Sequence, residues 1–359
     1  MPVSISGTNG VTFPDSSLQA AAASPYTLKN KIINGDFRID QRNAGASVTS
    51  GFPVDRFQVY STQSSKWTAQ QSTTAPTGFT NSVIITSSSS YSPISSDYFS
   101  YTTRIEGFNV ADLDWGTANA KTITVSFWVR SSLTGTWTGA LHNNAFNRVY
   151  PFSYTISSAN TWEYKTVTIA GDTTGTWLTN NSVGIEIGFA FSVGSSGLGT
   201  AGAWTNTASI FGATGQTNLL GTNGATFYIT GVQLEQNTSA TPFERRMYGQ
   251  ELANCKRYYQ KTYEIGTALG TNTNTGAISV FYNGTYGAAN GFRFETEMRA
   301  SPTLTGYSVG GTSGQWSIIA GATNTVTFGD LGSKGMRYIQ VTSGGSVGYE
   351  GHYSASAEL

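Results

Sequence analysis

Over much of the chain, apolar and polar residues alternate one by one, the spacing of a half-buried β-strand whose successive side chains point to opposite faces. The clearest run sets Val183, Ile185, Ile187, Phe189, Phe191 and Val193 against Gly184, Glu186, Gly188, Ala190 and Ser192. A second sets Ile123, Val125, Phe127 and Val129 against Thr124, Ser126, Trp128 and Arg130. Residues 227–234 and 162–169 read as two further strands. Clusters of Gly, Asn, Ser and Thr separate them, with the turn chemistry of hairpins and sandwich loops. Strands at this spacing, with no helical pattern between them, predict an antiparallel sandwich over residues 28–244.

The period changes only once. In residues 245–261, Tyr248, Leu252, Cys255 and Tyr259 recur at spacings of four, three and four, which predicts one connecting helix. Its five cations, Arg245, Arg246, Lys256, Arg257 and Lys261, are expected on a solvated face, paired with Glu244, Glu251 and Glu264. Strand texture resumes at 278–282, 292–298, 316–319, 325–328 and 338–341, so residues 262–359 are expected to form a smaller C-terminal β domain. Residues 1–27 carry too few large apolar side chains for a core of their own. They read either as a loose tail or as a segment ordered only against a partner.

Composition sharpens this picture. Lys plus Arg and Asp plus Glu number 20 each, for a formal net charge of zero, and charged residues make up 11%. So neutral a chain lacks the electrostatic footprint of a nucleic-acid binder. The single cysteine, Cys255, allows neither an intrachain disulfide nor a thiolate metal cluster. No apolar run is long enough to span a membrane as a helix, and the first ten residues lack the pattern of a secretory signal. Between Glu186 and Glu235 no charged residue occurs. Either Trp204 and Phe211 pin parts of this long interval to the body, or it lies in an intersubunit surface; its lack of charge favours burial against something.

Catalytic signals are sparse. His142 and His352 are the only histidines, and neither stands in a ligand-spaced motif; both read as surface or turn residues. Ser195 and Ser196 lie in Gly194-Ser-Ser-Gly197, which is not a nucleophile elbow. Phosphate-binding loops have no βαβ unit to host them. Glycoside hydrolysis needs only two carboxylates a few ångströms apart, and Glu163, Glu186, Glu235, Asp112 and Asp114 are the candidates. Binding without cleavage fits the aromatics better. Trp128 and Arg130 project from the polar face of a strand whose other face is Val125, Phe127 and Val129. There a ring can stack on a pyranose, or be covered by a loop or a neighbouring subunit. Tyr282, Tyr286, Tyr307 and Trp316 are the equivalent candidates in the C-terminal domain, with core packing as their alternative. No catalytic residue, metal or cofactor is expected.

Several motifs, taken in order, resemble a known family. Lys31-Ile-Ile-Asn34-Gly35-Asp36-Phe37-Arg38-Ile39 and Pro53-Val-Asp55-Arg56-Phe57 are similar to the opening of a bacteriophage tail-fibre jelly-roll domain. Gly231-Val-Gln-Leu-Glu235, Ala240-Thr241-Pro242-Phe243-Glu244 and Cys255-Lys-Arg257-Tyr258-Tyr259 resemble its close and exit helix. Met298-Arg299-Ala300-Ser301-Pro302-Thr303 and Tyr353-Ser-Ala-Ser-Ala-Glu358-Leu359 are similar to the terminal domain of such fibres. Residues 1–19 resemble a virion-anchoring segment centred on Val11, Phe13 and Pro14. The Asn34-Gly35-Asp36-Phe37 start also resembles carbohydrate-binding modules of jelly-roll type. The resemblance implies a homotrimeric fibre made in the bacterial cytoplasm and built into the virion. Its N-terminus would dock on tail or baseplate proteins, and its C-terminal domain would meet host polysaccharide, without catalysis, nucleic acid or membrane insertion. A tailspike-type depolymerase and a purely structural collar or head fibre are the rival readings.

Overall fold

The computed structural model describes residues 28–281, 291–319, 321–341 and 348–359. Of the first 27 residues it describes three short strands, Ser4–Ser6, Gly10–Thr12 and Leu18–Gln19, which pair antiparallel in one small sheet. The main body is a jelly-roll sandwich of two antiparallel sheets. Its strands in chain order are β1 (Gly51–Val54), β2 (Phe57–Ser61), β3 (Trp67–Ser72), β4 (Ser82–Ser87), β5 (Tyr98–Glu106) and β6 (Ile123–Ser131). They continue with β7 (Gly135–His142), β8 (Val149–Ile156), β9 (Glu163–Ile169), β10 (Val183–Val193) and β11 (Thr226–Glu235). One sheet runs β8-β7-β10-β5-β2-β1 and the other β9-β6-β11-β4-β3. All four strands predicted from alternation over 28–244 are present.

The apolar faces of the two sheets meet in one core. Val125, Phe127 and Val129 of β6 and Ile185, Ile187, Phe189 and Phe191 of β10 are almost fully enclosed. Each such side chain contributes about 1.5–3 kcal/mol through removal from water. Ring pairs tie sheet to sheet: Phe127 meets Phe189 edge-on at 5.0 Å, and Trp137 meets Phe227 at 4.7 Å.

The Asn34-Gly35-Asp36-Phe37 motif is a clasp on this sandwich. Asn34 and Phe37 both take positive φ, at 59° and 56°. The Asn34 amide donates to the carbonyls of Ile39 and Asp55 at 2.8 and 2.9 Å, standing in for backbone partners that the tight turn cannot supply. The Gly35 carbonyl accepts from Val232 N at 2.8 Å. A methyl at residue 35 would lie 2.1 Å from the Val232 carbonyl oxygen, so only glycine fits.

The charge-free interval 187–234 contributes to the sandwich at both ends. Its middle holds two single turns of 3-10 helix (Ser195–Gly197, Leu219–Gly221) and a two-residue parallel pair, Leu198–Gly199 with Gly212–Ala213. Phe211 stacks on Tyr98 at 4.2 Å, and Trp204 packs edge-on against Tyr150 at 5.2 Å. These contacts pin parts of the segment to the body.

The helix is shorter than its periodicity predicts. It runs Tyr248–Lys256 (α1), and Tyr259–Lys261 forms a strand instead, β12. Pairing of β12 with Ser354–Ser356 satisfies its backbone better than another helical turn would. The helix buries Glu251 and Cys255, while Tyr248 lies exposed. Among the five cations, Arg246 pairs with Glu244 and Glu251 as expected. Arg257 and Lys256 instead reach Glu106 and Glu295, and Lys261 is buried.

The remaining strands are β13 (Ile278–Phe281), β14 (Phe292–Arg293), β15 (Thr303–Ser308), β16 (Gln315–Ile318), β17 (Thr323–Gly332), β18 (Gly335–Val341) and β19 (Gly348–Ser356). With β12 they make one antiparallel sheet in which β19 pairs with β12, β13, β15 and β16. A separate apolar core, including Trp316, Ile339, Tyr349 and Ala355, belongs to this unit. Residues 292–298, expected as a strand, form one only at Phe292–Arg293.

Candidate functional site: an aromatic platform on the outer sheet face

Every second residue of β6 that is not in the core faces outward on the five-stranded sheet. Strand pairing sets Tyr164 of β9 opposite Trp128, and Trp128 opposite Thr230 of β11; two residues on, Arg130 lies opposite Tyr228. Cross-strand neighbours on one face are close enough for their side chains to touch. The Trp128 and Tyr164 rings lie 5.3 Å apart and tilted, and Trp162 meets Tyr228 at 6.1 Å. Tyr164 is 42% exposed, and Trp128, Trp162 and Tyr228 are half-buried. Trp128 and Arg130 are thus both on the surface that sequence alternation assigned them.

A β-bulge extends this row. The register of β6 against β11 shifts between Thr230 and Gln233, and Gly231 sits at the shift with φ 63°. A Cβ on Gly231 would lie 2.7 Å from the Phe79 ring and 3.3 Å from the Trp128 ring. The missing side chain therefore lets Phe79 close up beside Trp128. Phe79 packs on Phe243 at 5.3 Å. The Asn34-Gly35 clasp holds the bulged strand from its other side, through Val232.

Cations border the rings at both ends. Arg130 lies 5.1 Å over Tyr228, its Nε donating to the Asn160 carbonyl at 2.9 Å. Arg245 lies 4.5 Å over Phe79 and donates to the Gly78 carbonyl. Neither guanidinium has a carboxylate partner among the described residues, so both retain donors for a ligand. The other half of the face is closed: Thr124 donates to the Asn237 carbonyl at 2.9 Å, and Thr124 and Ser126 are buried.

The C-terminal candidates fare differently. Trp316 is fully enclosed, its indole N–H donating to the His352 carbonyl at 2.9 Å. Gly306 and Gly351 press against the ring. This corrects the expectation of a surface ring: Trp316 is the centre of the second core, because a strand in a two-sided unit buries the face that sequence read as open. Tyr307 is half-buried and meets Tyr263 at 5.9 Å. Tyr282 and Tyr286 lie outside the described residues, as do Phe13 and Pro14; Val11 lies in the strand Gly10–Thr12.

Both histidines are buried rather than superficial. His142 Nε2 is 2.7 Å from the Ile210 carbonyl, and burial lowers its pKa. His352 is stacked on Tyr263 at 3.8 Å, with its nitrogens at Thr262 and Thr273, and burial lowers its pKa too. Each of the five carboxylates weighed for hydrolysis has its own local partner. Glu186 pairs with Arg104 at 2.6 Å, Asp112 with Lys31 at 2.8 Å and Asp114 with Lys121 at 3.1 Å. Glu163 accepts from the amides of Ser157 and Ser158 and from Lys165, and Glu235 from the amide and hydroxyl of Thr241. Sequence reasoning missed Trp162, Tyr164, Tyr228 and Phe79. Tyr164 and Tyr228 could have been found, since each occupies a polar-face position in a strand read from alternation.

Together these features define a jelly-roll β-protein carrying an exposed aromatic row flanked by unpaired guanidinium groups. No protein-family model matches the chain, and no curated protein sequence matches it. Solved structures do resemble it. The enzymatically active domain of tailspike protein 4 from bacteriophage CBA120 aligns over 59% of this chain at 13% identity, with a TM-score of 0.33, and the chain spans only 22% of that one. A family 11 carbohydrate-binding module from Clostridium thermocellum, solved with a mixed-linked tetrasaccharide, aligns over 54% of this chain and 96% of its own. Its identity is 12% and its TM-score 0.29. A putative sugar-binding protein from Bacteroides thetaiotaomicron aligns over 58% of this chain and all of its own, at 9% identity and a TM-score of 0.33.

Proposed function

We propose that this protein binds saccharides on the Trp128–Tyr164 platform without catalysis, and that it serves as a phage tail fibre or receptor-binding protein that adsorbs to host surface polysaccharide as a homotrimer. The observation that carries the binding reading is the row itself. Rigid rings, half-open to solvent on a fixed sheet, offer flat apolar area to the C–H face of a pyranose. Arg130 and Arg245 offer donors to its hydroxyls. The tail-fibre part rests on the order of motifs from Asn34-Gly35-Asp36-Phe37 to the terminal Glu358-Leu359. Three copies would add avidity to weak individual sites.

Titration of the chain with soluble host polysaccharide tests this. Trp128→Ala or Tyr164→Ala should each weaken binding by about tenfold, roughly 1–2 kcal/mol, with the fold intact by circular dichroism. Unchanged affinity in both variants sinks the platform reading. New reducing ends released from the polysaccharide would replace binding by hydrolysis, and a well-folded lone subunit in sedimentation would remove the trimer.

A further inference from the structure

We infer a second binding site, for the anionic group of a phosphate- or carboxylate-bearing sugar, in the C-terminal sheet where β14 meets the β17–β18 hairpin. The hairpin turns through Ser333 and Lys334, with Gly332 opposite Gly335. Arg293 pairs with Gly335 and Phe292 with Met336. The approach is possible only because residue 335 is glycine: its φ is 153°, and a Cβ there would lie 1.9 Å from the Phe292 carbonyl oxygen. The Lys334 carbonyl accepts from Phe294 N at 3.1 Å, and the Ser333 carbonyl from Met298 N at 2.8 Å, which fixes the turn against this strand.

An open cavity of about 350 Å³ results, lined by Arg293, Lys334 and Arg337 together with Asp330, Phe292 and Met336. Three cations therefore face one carboxylate in a chain whose net charge is zero. Arg337 pairs with Asp330 at 3.1 Å, and Lys334 reaches Glu297 only at 3.9 Å; both pairs are open to solvent, where such contacts contribute little. Arg293 makes no ion pair or side-chain hydrogen bond among the described residues. A concave site with an excess of positive charge concentrates counter-charge, and a guanidinium fork matches the two oxygens of a carboxylate or phosphate. Half-buried Phe292 gives the sugar ring an apolar edge. The saccharide part rests on the glycan-binding reading above, but the anion part does not.

Calorimetric titration of the full chain with oligogalacturonate, glucose 6-phosphate, inorganic phosphate and a neutral cello-oligosaccharide, at low and high salt, tests the site. Oligogalacturonate or glucose 6-phosphate should bind, and more weakly at high salt; whichever binds tighter identifies the acidic group. Arg293→Gln combined with Lys334→Gln should weaken that binding by about threefold per charge. Asp330→Asn should strengthen it. The inference is overturned if neither acidic sugar binds, if the double variant binds as tightly as the parent, or if inorganic phosphate alone matches glucose 6-phosphate. Loss of neutral-sugar binding alone would sink the platform and leave this site standing.

Discussion

Asp55 is fully buried between Arg42, 3.2 Å away, and Gln41, whose side chain and backbone N–H both donate to it. Burial is the largest influence on its carboxyl and outweighs these partners, raising its pKa from 3.8 to about 6. The folded chain thus holds this proton more tightly than the unfolded chain. Its contribution to stability is fully present below the unfolded value, near pH 4, and is lost as pH rises through about 6. Asp55→Asn should flatten the dependence of Tm on pH across that window, as read by calorimetry at stepped pH. An unchanged slope would place the titration elsewhere. Trp128 and Trp316 mark what single residues disclose. Both are tryptophans in strands, yet one lies half-buried on an open face and the other at 0% exposure in a core. Alternation distinguishes the faces of a strand, but what covers each face belongs to distant parts of the chain.

At the level of the element, the bulge in β11 decides the platform. Gly231→Ala would force a side chain into positive φ and against the Phe79 ring, 2.7 Å from the new methyl. A cost of about 1–3 kcal/mol is expected, and Phe79 should move off Trp128. Both a lower Tm and weaker saccharide binding should follow; a variant with parental values would show that Phe79 does not depend on the bulge. Strands β6, β10 and β11 were legible because period two is strong where one face is a core. The helix was overdrawn for the converse reason. Spacings of four, three and four continue through Tyr259, but β12 finds a partner strand some hundred residues away, and helical periodicity carries no record of that partner.

For the whole molecule, the two units are joined by buried charge. Glu358 pairs with Arg42 at 2.7 Å and with Arg56, which lies 3.5 Å over the Tyr258 ring. Arg257 reaches Glu106 at 2.7 Å, and Arg299 donates to the carbonyls of Asn181 and Ala357. Removing one partner of a buried pair is costly because the other charge stays desolvated. Glu358→Ala should therefore destabilise the junction by about 3–5 kcal/mol, splitting one calorimetric transition into two and admitting protease near β12. A single unshifted transition would show that the ionic junction does not couple the units.

The antiparallel sandwich, the solvent side of β6 and the lone connecting helix follow from order along the chain, because burial of alternate residues leaves a local trace. The pairing of β9, β6 and β11 that collects Tyr164, Trp128 and Tyr228, the enclosure of Trp316 and the meeting of Arg293 with Lys334 and Arg337 come from folding in space. Those contacts join segments far apart in the chain, and no local period encodes which distant strand will lie alongside.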